Sequence, residues 1–143
     1  MRKRLRSLLL SPVVGLLPWL AQTPELPKPA GDFKFSVAAS KVWTDTGLDL
    51  DPGDRVSVRG GVLSCGGPTP SEKAHLPMPS APGGALLLKL HGEAKPILAS
   101  PDADVPIVDA GHLYLGVNGW DCRGKISARV HVERRPEAEK KTK

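Results

Sequence analysis

The chain lacks the local signatures by which most enzymes announce themselves. Its 143 residues contain no Gly-x-Ser-x-Gly elbow, no His-Glu-x-x-His and no Gly-rich phosphate loop, so the familiar markers of an activated serine, a catalytic zinc and a nucleotide are missing. Helical periodicity is missing as well, since no stretch repeats its apolar residues every three to four positions. The longest apolar stretch, Leu8 to Leu20, is about 13 residues and is interrupted by Pro12, Gly15 and Pro18, whereas a helix needs roughly 20 to cross a bilayer. A basic body is absent too. The formal charge of +5 is concentrated at the ends, and residues 22–133 carry 11 Lys and Arg against 13 Asp and Glu, a net of −2. That balance gives no electrostatic case for nucleic acid.

What is present points to export. Arg2, Lys3, Arg4 and Arg6 precede the apolar stretch, and Ala21 supplies a small residue after it. This is the layout of a secretory signal over residues 1–21, and it predicts a secreted or periplasmic protein with no membrane span in its mature form. Residues 22–32, with Pro24, Pro27 and Pro29, read as a Pro-rich linker. A domain over residues 33–133 and a charged tail over 134–143 complete the expected organisation. The chain holds two cysteines, Cys65 and Cys122. In an oxidising compartment an even count favours a disulfide, the alternative being two unrelated buried thiols.

The 15 Gly and 15 Pro punctuate short apolar runs, which suggests many strands joined by turns. Phe33, Phe35 and Val37 alternate with polar residues, as do Leu113, Leu115 and Val117, and again Ile126, Ala128, Val130 and Val132. Period-two patterns of this kind are strands with one buried face. A short strand is expected at Val42 to Thr44. Leu48 and Leu50, then Asp51-Pro52-Gly53-Asp54, then Val56 and Val58 read as a hairpin with a turn at its tip. Cys65 to Gly84, with five prolines, reads as a long surface loop. Ala85 to Leu90 is nearly all apolar and suits a central strand, with further strands expected at Pro96 to Ala99 and Val105 to Val108. The fold class expected is all-β, a jelly-roll-like antiparallel sandwich of about eight strands.

Several segments in order carry a resemblance: Val42-Trp43 with Asp45-Thr46-Gly47, the turn Pro52-Gly53-Asp54-Arg55-Val56, then Cys65-Gly66-Gly67-Pro68, Gly84 to Lys89, and Leu113-Tyr114-Leu115-Gly116-Val117-Asn118. Over roughly residues 35–132 the chain resembles the LecA-like bacterial galactophilic lectins. The resemblance implies a galactose-binding-domain-like sandwich, with sugar bound at a calcium ion held between two loops. One loop would offer the backbone carbonyl of Cys65. The other follows an Asn-Asp pair, which here reads Asn118-Gly119, so the expected carboxylate is absent and Gly119 to Gly124 offers only Asp121. Calcium takes six to eight oxygens, usually with more than one carboxylate. The expectation is therefore no cofactor, with calcium implied only by the family, and a Cys65–Cys122 disulfide as the tie between the loops in place of the ion.

A carbohydrate or glycoconjugate is the expected partner. The expected ligand residues are Trp120, whose ring can stack on sugar C–H surfaces, with Asp121, Asn118, Arg123 and Tyr114 to fix hydroxyls, and His75 in the place of the family's loop histidine. Against these stand plainer roles: Trp120 as a lid over the disulfide, His75 as an ordinary exposed side chain, Trp43 as packing. His91, His112 and His131 lack the local spacing of a metal site. Asp102, Asp104 and Asp109 read as turn residues rather than an acid/base pair, and a disulfide would remove any cysteine nucleophile. A non-catalytic binding domain is expected, with a structural or protein-interaction module of the cell envelope as the alternative. Nothing in the sequence signals an oligomeric state.

Overall fold

The computed structural model describes Gly15, residues 26–92 and residues 94–136. The expected export signal, apart from Gly15, the expected cut after Ala21, the start of the expected linker and the residues beyond Pro136 lie outside the described residues.

Two four-stranded antiparallel sheets face each other. The strands are β1 (Gly31–Ala38), β2 (Thr44–Leu50), β3 (Arg55–Arg59), β4 (Ala85–Lys89), β5 (Ile97–Leu98), β6 (Val105–Pro106), β7 (Gly111–Asn118) and β8 (Lys125–Glu133). One sheet has the order β1-β8-β3-β6, the other β2-β7-β4-β5. The all-β sandwich of eight strands follows from the alternation in the sequence. β8 shows it most clearly: Ile126, Ala128, Val130 and Val132 are buried and every residue between them is exposed. They meet Leu86 and Leu88 of β4 and Leu113 and Leu115 of β7 in one core, each large chain contributing about 1.5–3 kcal/mol by leaving water. β4 is buried along its whole length, as its apolar run predicts.

The expected hairpin over residues 48–58 is not one. β2 pairs with β7, and β3 pairs with β8 and β6, so the turn at Asp51 to Asp54 is an arch that carries the chain between sheets. Leu48 and Leu50 face Val56 and Val58 across the core instead of lying beside them. Inward alternation on both arms is the same in a hairpin and an arch, and long-range bonds decide between them. Gly53, at φ +93°, donates its N–H to the Ile107 carbonyl at 2.8 Å, and Ile107 returns a bond to the Asp54 carbonyl at 2.9 Å.

Asp54 locks this arch. Its fully buried carboxylate accepts from the N–H groups of Asp51 and Arg135 and from the Arg134 guanidinium at 2.7 Å. Burial pushes this carboxyl up, but those two N–H groups and the guanidinium together hold it below its ordinary value. Arg134 also reaches the carbonyls of Pro29 and Asp49, so Arg134 and Arg135 are fastened to the body of the fold.

The strand expected at Val42 to Thr44 begins at Thr44 and continues through a bulge to Leu50; Val42 is exposed. Between Asp45 and Asp49 the register with β7 shifts. Thr46 fills the irregularity, its hydroxyl donating to the Leu113 carbonyl at 2.7 Å and accepting from the Leu48 N–H.

Candidate functional site

The two loops named from the sequence come together at one end of the sandwich. Cys65 and Cys122 are joined by a disulfide, with Cα atoms 4.2 Å apart, and pair as an isolated antiparallel bridge. The Gly66 N–H reaches the Asp121 carbonyl, and the Leu63 N–H reaches the Gly84 carbonyl at 2.9 Å. A single sulfur–sulfur bond therefore sits at the crossing of the β3–β4 and β7–β8 connections.

Gly119 stands directly against this bond. A Cβ at that position would overlap the Cys122 sulfur and lie 3.2 Å from the Cys65 sulfur. The space that a side chain at position 119 needs is filled by the disulfide. The missing side chain at position 119 and the disulfide are thus one steric fact.

Beside the disulfide lies an open cleft of about 580 Å³, lined by Gly66, Gly67, Glu72, Gly119, Trp120 and Asp121. Trp120 is 44% exposed, which leaves a face of its indole available for stacking. Asp121 sits at φ +50°, the one left-handed residue other than glycine among the described residues. Short polar side chains tolerate that conformation best, and it fixes the direction from which the carboxylate enters the cleft.

Glu72 was not legible as a site residue until the loop folded. Thr69-Pro70-Ser71-Glu72 forms the start of a one-turn helix, α1 (Pro70–Lys73), inside what the sequence suggested was plain loop. Thr69 accepts from the Glu72 N–H, while the Glu72 carboxylate accepts from the Thr69 N–H at 2.7 Å and from its hydroxyl at 2.9 Å. The capping-box spacing with Pro at the first helical position is the sequence signal for it. Those bonds, the N–H first, hold the Glu72 carboxyl below its ordinary value.

The other expected ligand residues lie elsewhere. Asn118 is fully buried. Its side-chain oxygen accepts from the Met78 N–H at 3.0 Å, and its amide nitrogen faces the carbonyls of Met78, Ala81 and Pro82 at 2.9 to 3.2 Å. Every polar atom of that side chain is committed to holding the Cys65 to Gly84 loop against the sheet, so Asn118 is a clamp and not a ligand contact. Tyr114 lies four residues back along β7, roughly 13 Å away at strand rise, beside His112 and the Lys89 ammonium. Arg123 and His75 are exposed on the two loops but outside the cleft lining. Trp43 packs under the Lys89 ammonium at 4.4 Å, in keeping with a packing role.

No family model matches the chain, and no curated protein matches it. The site must therefore be read from its own chemistry.

A side chain at position 119 would meet the Cys122 sulfur, and no group of three His, Cys, Asp or Glu side chains among the described residues is arranged to hold a metal. His91, His112 and His131 do not converge. His112 lies on β7 between Asp45 and Asp49, His131 lies on β8 of the other sheet beside Asp32 at 2.9 Å, and His91 is exposed beyond β4. No helix among the described residues is long and apolar enough to cross a membrane.

Proposed function

We propose that this protein is an exported, non-catalytic carbohydrate-binding module, built like the LecA-like lectins it resembles, in which a disulfide takes the structural place of their calcium ion. One observation carries the reading: an exposed Trp120 forms a wall of an open cleft whose other polar side chains are the carboxylates of Asp121 and Glu72. An aromatic platform with a few convergent polar groups is how proteins hold a sugar ring. The disulfide supports both walls of that cleft, so metal-independent recognition is expected.

The reading is tested on a glycan array followed by calorimetric titration of the best binder. Trp120→Ala should weaken binding at least about tenfold, equivalent to about 1.4 kcal/mol, while Lys34→Ala on the far edge of β1 should leave it unchanged. Equal binding by both variants, or a blank array, counts against a sugar site at this cleft. The withdrawal of Asn118 into the fold favours one other reading, an envelope interaction module that retains the lectin architecture without its ligand. Copurification of a single envelope protein together with a blank array would select it.

A further inference from the structure

We infer that the sugar taken by this cleft carries a free amine, a glucosamine-type unit rather than a neutral hexose. This inference rests on the carbohydrate reading and narrows it. Among the six lining residues the only charged side chains are two carboxylates; the rest are three glycines and the Trp120 ring. Lys73, next to Glu72, and Arg123, two residues after Asp121, are exposed and do not line the cleft.

Neutral sugars present hydroxyls that both donate and accept, and their sites usually mix amides, carboxylates and basic groups to match. The amide that could have served here, Asn118, is consumed inside the fold. What remains is a set of acceptors that line one cleft with an electron-rich ring. One carboxylate oxygen of Glu72 is occupied by Thr69, leaving the other without an assigned partner. A ligand ammonium offers three donors and a full positive charge to such a surface. It is attracted both by carboxylates and by the face of an indole, a pairing stronger for a cation than for a hydroxyl.

The test compares three tetramers of the same β-1,4-linked geometry: tetraglucosamine, its fully N-acetylated form and cellotetraose, which has a hydroxyl in place of each amine. Titrations use the oxidised full-length mature protein. The amine form should bind at least about tenfold more tightly than either of the others, and more weakly as salt is raised. Glu72→Gln and Asp121→Asn should each reduce its affinity about tenfold, since each replaces a charged acceptor for the ammonium by a neutral one. Gln preserves the cap of α1, and Asn tolerates the left-handed backbone, so circular dichroism and melting should match the parent. Equal or tighter binding of the acetylated or neutral tetramer overturns the inference and leaves the carbohydrate reading standing. Spermine binding as tightly as the amine tetramer, with no loss in Trp120→Ala, marks a bare polycation site and also overturns it. Binding of none of the three overturns it as well, and only a blank glycan array then removes the broader reading.

Discussion

At the residue scale, Gly119 shows how a single position can report on a whole site. The absent side chain and the two sulfurs compete for the same volume, so position 119 and the cysteine pair must change together. Gly119→Ala should leave a measurable fraction of the purified protein with free thiols and lower its melting temperature. Full oxidation with unchanged melting would show that the loops have slack that the geometry denies. Asn118 teaches the complementary lesson. Its residue type, beside a candidate loop, suited a sugar contact, yet its hydrogen-bonding capacity is spent on four backbone groups between Met78 and Pro82. Sequence gives the capacity of an amide to bond but not the identity of its partners. Those partners lie 36 to 40 residues away along the chain, in a loop with no periodic pattern to anchor a register.

At the scale of elements, the strands were legible because their alternation tracks burial, residue for residue in β8 and, in β7, at Leu113, Leu115 and Val117, beside which Gly116 and Asn118 are buried too. Their pairing was not. The arch after β2 has the same polar turn and the same flanking alternation as a hairpin, and what separates the two is a buried ion pair assembled from Asp54 and Arg134, 80 residues apart. Removing one member of such a pair leaves the other charge unpaired, and Asp54→Ala should cost about 3 kcal/mol or more in urea unfolding. A cost below about 1 kcal/mol would mean that Gly53 and Ile107 hold the arch without it. The helix α1 was written in its capping box but was concealed by the prolines around it.

The clasp between β2 and β7 makes a pH-dependent prediction. Asp49, then Asp45, accept hydrogen bonds from the His112 ring and raise its pKa above the ordinary 6.5, while burial opposes them weakly. Tyr114 and the Lys89 ammonium are the other groups on that face. A histidine raised in the folded state adds stability that is complete below the unfolded value near 6.5 and disappears as pH rises through the folded one. The melting temperature should therefore fall between pH 6 and pH 8.5, and fall less in His112→Gln. Parallel profiles for the two proteins would show that the clasp carries no net linkage.

For the molecule as a whole, the sandwich, its core and the joining of residues 65 and 122 all follow from period-two patterning and an even cysteine count. The cleft does not, because three of its lining residues are glycines that offer only backbone and one of its carboxylates arrives on a helical turn. The disulfide spans 57 positions, and closing a loop of that length contributes about 4 kcal/mol in the chain-entropy model, a large share of a small domain's stability. Its second consequence is local: it ties the loop of Gly66 and Gly67 to that of Trp120 and Asp121, and on the proposed reading no ion is needed to do so. The most direct measurement of that claim is calorimetric titration of the best-binding glycan into oxidised protein with excess chelator, and into the same protein after reduction and thiol blocking. Affinity unaffected by chelator and lost on reduction is the predicted result; binding abolished by chelator but retained after reduction would contradict the account.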